Sequence, residues 1–167
     1  MRGAHLERLF PKLSTGSWSV KSKSDTTYNC IAFAASETHR WWWPSGDPQY
    51  DYWPPEVPRE ETIECFVRAF KTRGYAPCAD GRFELGYEKV AIYVDYDQTP
   101  LHMARQRFWG SWVSKLGELE DILHVNLNQI ESHGYGDATH FMKRGLLTAF
   151  RIALSQWTNR VIERLRL

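Results

Sequence analysis

The chain has 167 residues, enough for one domain with a self-supporting core, and its 21 Lys and Arg against 20 Asp and Glu leave a net charge of +1 that provides no general field for nucleic acid or an anionic membrane. Eight Trp, eight Tyr and eight Phe, with 43% hydrophobic residues and a mean hydropathy of -0.52, describe a soluble chain with an unusually aromatic core or binding surface. Cys30, Cys65 and Cys78 are odd in number and lack CxxC spacing, which argues against a disulfide framework or a sequence-evident zinc site and favours a reducing compartment.

Residues 1–24 are basic, Ser-rich and weakly periodic, and read as part of a partly ordered lead-in (1–27) without chemistry. They lack the apolar stretch of a signal peptide, and no segment reaches the length of a membrane span. The expectation is a cytoplasmic protein, or one delivered by a dedicated secretion machine as an intercellular effector, with no integral membrane association.

The small and apolar run after Asn29 predicts a buried helix to about Arg40, capped by Thr27 or Asn29, with Cys30 in its first turn. Trp41 to Pro58 holds five of the eight prolines and four of the eight tryptophans, and reads as a structured loop. Pro58 opens and Gly74 closes a second helix with Ile63, Phe66, Val67 and Phe70 on one face and Cys65 off it. Strand patterns at 89–94, 101–106 and 111–116 form an antiparallel meander, followed by a short helix at 118–123 and a last strand at 139–143. Helix first and sheet afterwards makes the class α+β, with a domain over 28–145. Leu147, Phe150, Leu154, Trp157, Val161 and Leu165 mark an amphipathic helix within 146–167. It is expected to dock on its own domain or on a second copy, giving a homo-oligomer; a basic membrane-surface helix is the alternative.

Cys30 at a helix start and His102 on a later strand are the two parts of a Cys/His nucleophilic site, because a helix dipole and an imidazolium both lower a thiol pKa. If Arg107-Phe108-Trp109 is a three-residue hairpin loop, Gln106 opposes Gly110 and His102 faces Ser114, which would orient its ring. A one-residue slip brings Lys115 opposite His102 instead; Glu118 and Asp121 are alternative orienters. Asn29 is either a helix cap or an oxyanion donor, Tyr28 either touches substrate or packs in the core, and the loop with Trp42, Trp43 and Trp53 either walls the thiol or covers the sheet. His124, His133 and His140 show no metal-ligand spacing, and no cofactor is expected.

A Cys helix followed by a His-bearing meander and a polar residue on the next strand resembles the papain-like fold of the NlpC-type peptidases and related amidases, over about residues 28–116. The entry Tyr28-Asn29-Cys30-Ile31 differs from the Asp-Cys-Ser usual there. A nearer resemblance is to a bacterial domain family of unknown function, on Tyr28 to Ala32, Trp41 to Pro44, His102 to Gln106 and Trp112 to Gly117, spanning about 28–144. The second family implies a common fold and site without an established reaction; the Cys/His pair and the papain-like resemblance imply a cysteine hydrolase or acyltransferase acting on a peptide or protein amide. Cys30 would attack, His102 would move the proton, and the Cys30 N–H would hold the oxyanion. The alternative is a non-catalytic binding or interaction module on the same fold, which a buried Cys30 with no cleft beside it would favour.

Overall fold

Val90-Ala91-Ile92-Tyr93-Val94 is buried at every position, the pattern of a strand covered on both faces. In the computed structural model, which describes residues 3–165, it lies inside a seven-stranded sheet. The elements in chain order are α1 (Ala4–Leu9), a 3-10 turn (Pro11–Thr15), β1 (Trp18–Val20), α2 (Cys30–Ala34), β2 (Trp41–Trp42), β3 (Asp51–Tyr52) and α3 (Ile63–Lys71). Then come β4 (Ala76–Cys78), β5 (Tyr87–Val94), β6 (Pro100–Gln106), β7 (Trp112–Lys115), β8 (Asp121–His124), a 3-10 turn (Leu127–Ile130), β9 (Asp137–Gly145) and α4 (Leu146–Leu165). The sheet order is β1-β8-β7-β6-β5-β9-β4, antiparallel throughout, and β2 pairs with β3 separately. The α+β class is therefore correct.

Period-two alternation divides the sheet between two cores. Val90, Ile92, Val94, Met103 and Met142 face one side, where they pack with Cys30 and Ile31 of α2, Phe66 and Phe70 of α3, and Trp42. Ala91, Tyr93, Ala104, Trp112 and Ile122 face the other, under Leu6, Leu13 and Ile130. The segment over residues 3–24 is thus a built part of the domain: Leu6 and Leu13 are fully buried, and β1 extends the sheet along β8. The expectation of a partly ordered lead-in fails because its few apolar side chains are spent on one face, too sparsely for a periodic signal.

Other boundaries also shift. α2 stops at Ala34 because Ser36 takes a φ of 65°, outside the helical region. α3 begins at Ile63, where the Thr62 side chain accepts from the Cys65 N–H, and Cys65 lies in the core beside Phe66. The helix expected at 118–123 is a turn followed by β8, since Asp121 to His124 alternate across the ladder opposite Lys115 to Trp112. α4 meets the body through Thr148 and Ile152, which crowd Gly74, while Leu147, Phe150 and Leu154 stay exposed. Its apolar stripe therefore does not dock on its own domain along these three residues; the side chains of Trp157 and Leu165 fall outside those described.

Candidate functional site

Asn29 sets the start of α2. Its side-chain oxygen accepts from the Ala32 N–H at 3.0 Å, and its amide donates to the Trp42 carbonyl at 2.8 Å, so it caps the helix and ties it to β2. Both of its hydrogen-bonding ends are thereby engaged, which makes it a cap rather than an oxyanion donor. Cys30 follows in the first turn, as the sequence predicts, but it is only 7% exposed. Burial pushes its thiol up to about 11. Backbone hydrogen bonding from Met103, Cys30 and Ile31, and the charge of Lys115, act the other way without offsetting it.

His102 does not join Cys30. It precedes Met103 on β6, and alternation sends the Met103 side chain into the core that holds Cys30 while His102 points through the opposite face. There its ring lies edge-on to Tyr93, at 5.2 Å, and stacks on Tyr135 at 4.1 Å and 9°. Among the described residues neither ring nitrogen has a hydrogen-bond partner, and burial, with His124 adding to it, holds the imidazole down to about 3. A ring so placed stays neutral and cannot supply the imidazolium that the Cys/His expectation requires.

Ser114 is likewise engaged elsewhere. Arg105 lies opposite Val113 and Gln106 opposite Trp112, so the hairpin is offset by two from the predicted pairing. The Arg107 N–H bonds to Ser111 O, and Gly110 takes a φ of 98° at the turn, so the loop is Phe108-Trp109-Gly110. The Ser114 hydroxyl lies 2.9 Å from His124 Nε2. His124 Nδ1–H donates to the Asn126 carbonyl at 2.8 Å, which leaves Nε2 to accept from Ser114. The sequence raises His124 only as a candidate metal ligand; the alternation of β8 against β7 is the signal that pairs it with Ser114.

Lys115, Tyr28 and Asp121 form one group of polar side chains on the Cys30 side of the sheet, and Glu88, Arg105 and Arg144 form another. Lys115 is fully buried, donates to the Leu119 carbonyl and lies 5.2 Å from the Tyr28 ring centre. Burial lowers its pKa, with Asp121 the largest opposing charge. Asp121 is the cross-strand partner of Lys115, and one of its oxygens accepts from the Tyr28 hydroxyl at 2.7 Å. Burial raises the Asp121 pKa against that bond, and it raises the Tyr28 pKa together with it. Tyr28 is a core residue, stacked on Phe33 at 5.8 Å. From the sequence, Lys115 is expected near the site only if the hairpin register slips by one. Charged residues in a short strand carry no sequence sign that they will be buried.

The tryptophan loop covers the sheet and does not wall the thiol. Trp42 is fully buried with its N–H on Glu37 at 2.9 Å, and Trp53 is buried with its N–H on the Pro58 carbonyl at 3.0 Å. Trp43 is half-buried against Phe66, its N–H shared between Ser45 and Glu61. A hollow of about 790 Å³ beside the β5–β6 turn is lined by residues including Lys12, Asp95, Glu131 and Asp137, and by neither Cys30 nor His102. Among the described residues no group of three or more His, Cys, Asp or Glu is arranged to hold a metal ion, and no helix is long and apolar enough to cross a membrane.

Residues 19–143, from β1 into β9, match a family described as Domain of unknown function (DUF7689). The chain belongs to that family. The match begins upstream of the Tyr28 start suggested by the sequence motifs, and it leaves α1, the first 3-10 turn and α4 outside. No curated protein and no solved structure matches the chain.

Proposed function

We propose that this chain is a non-catalytic interaction module. The observation that carries this reading is the stacking of a fully buried, unbonded His102 on Tyr135, across the sheet from Cys30. A thiol raised by burial, with no imidazole beside it, lacks the activation that nucleophilic catalysis requires. The papain-like description is kept at the level of element order: a Cys-bearing helix packed on β6 and β7 of an antiparallel sheet. Recognition falls instead to the aromatic side chains left exposed, chiefly Phe108 and Trp109 at the β6–β7 turn, where Arg107 lies over the Trp109 ring at 4.4 Å. Arg and aromatic side chains are the types enriched at protein contact sites, so the partner is a protein surface.

A second reading, a cysteine-dependent amide hydrolase or acyltransferase, is favoured by Lys115, a buried amine whose charge lowers the Cys30 pKa. Iodoacetamide labelling of the folded chain, mapped to Cys30 by mass spectrometry across pH in a Cys78→Ser background, separates the readings. The module predicts slow labelling that rises only in strongly alkaline solution and is unchanged by His102→Phe or Lys115→Met. Fast labelling at neutral pH that either substitution abolishes would overturn it in favour of the thiol centre.

A further inference from the structure

We infer that the outer face of α4, with the tip of the β6–β7 turn, is the contact surface between two copies of this chain; this rests on the interaction-module reading and names its partner. α4 meets the body through one flank: a Cβ added at Gly74 would come within 2.7 Å of Thr148 and 3.1 Å of Ile152. Its other flank presents Leu147, Phe150 and Leu154, which are 80%, 69% and 51% exposed. Leu146, one turn before Phe150, also lines a hollow of about 270 Å³ with Phe108. Across that hollow, whose remaining lining is Glu88, Arg105, Gln106 and Arg107, lies the turn, where Phe108 and Trp109 are 59% and 48% exposed and meet edge to face at 4.3 Å. Phe83, half-exposed, sits beside Gly110 at the same turn.

At about 100 Å² for each of these large side chains, the face comes to roughly 700 Å². Together with the polar hollow between helix and turn, that is close to the ~800 Å² that each partner gives to a stable interface. A second copy is the occupant that the spacing selects. Leu147, Phe150 and Leu154 follow the alternating three-and-four step of a helix seam, and the sequence continues it at Trp157 and Val161. Such a seam is covered by a helix with the same step, and two identical seams related by a two-fold axis close the assembly without leaving an open face.

Sedimentation velocity on the full chain over a range of concentrations tests this. The wild type should sediment as a dimer, Leu147→Glu/Phe150→Glu as a monomer with dimerisation weakened at least about 100-fold, and Trp109→Ala with an intermediate loss of about tenfold. Both variants should keep the wild-type circular dichroism spectrum, since the replaced side chains contact solvent. A wild type that stays monomeric, or a dimer that neither variant weakens, overturns the inference. So does a monomer that instead pellets with phosphatidylglycerol-containing vesicles and loses that binding in the double variant. Cys30 labelling is independent of these outcomes: an inert Cys30 in a monomeric chain rejects the dimer alone, whereas a reactive Cys30 rejects the module reading.

Discussion

His102 lies flat against Tyr135, ring centres 4.1 Å apart and planes 9° from parallel, with no exposed surface and no hydrogen bond from either nitrogen to any described residue. Such a ring must be neutral in the folded chain, whereas in the unfolded chain it titrates with the ordinary histidine value of about 6.5.

Acid should therefore destabilise the fold early. His102 is held down to about 3 and His124 to about 4, both chiefly by burial. Below about pH 6.5 the unfolded chain takes up protons that the folded chain cannot, so stability is full above that value and falls as pH drops toward the folded pKa of each ring. Each histidine contributes up to about 1.4 kcal/mol per pH unit. Urea unfolding at pH 7.5 and pH 5 should show a loss on the order of 4 kcal/mol. His102→Phe, which preserves the stacking, should remove about half of it. An equal loss in that variant would show that His102 is not the buried neutral group described.

Lys115 and Asp121 are buried opposite each other, and Tyr28 holds one oxygen of Asp121 while the other is unpartnered. Removing the carboxylate leaves a buried amine without its main counter-charge, so Asp121→Asn should cost about 3 kcal/mol. Lys115→Met/Asp121→Asn should cost less than the sum of the two single changes, by at least about 1 kcal/mol, because the uncompensated charge is gone. Chemical denaturation of the four proteins of the cycle measures this. Additive losses would mean that the two groups do not interact.

Gly136 and Gly86 both have positive φ, 73° and 85°, but only Gly136 is crowded: a Cβ there would sit 1.9 Å from the Val94 carbonyl oxygen, whereas at Gly86 it meets nothing within 4 Å. Gly86→Ala should cost about 1 kcal/mol, the backbone penalty alone. Gly136→Ala adds a collision of β9's approach with the end of β5 and should cost upwards of about 3 kcal/mol. Thermal melts of the two variants should differ accordingly; equal shifts would contradict the close approach.

Deleting residues 1–16 removes Leu6 and Leu13 from the core and the Leu13 carbonyl from the Gln129 side chain, a bond of 3.0 Å. Two buried leucines are together worth about 4 kcal/mol or more. The shortened chain, although it keeps the whole family-matched segment, should unfold at markedly lower denaturant and bind a hydrophobic dye. Unchanged stability would return this segment to the status of a lead-in.

The sequence by itself determined the α+β class, strands at 89–94, 101–106 and 111–116 that fold as 87–94, 100–106 and 112–115, the helix start at Cys30 and the terminal helix, because these follow from local periodicity and from the cap at Asn29. It also placed His102 on a strand. Only the tertiary structure decided which face that strand turns toward α2. Side chains alternate with a period of two, so whether Met103 or His102 meets the helix depends on how the whole sheet is presented to it, and nothing local to Leu101-His102-Met103 specifies this. The two-residue offset of the β6–β7 hairpin separates Ser114 from His102 along their shared face and leaves it to His124, while alternation buries Lys115 on the thiol side.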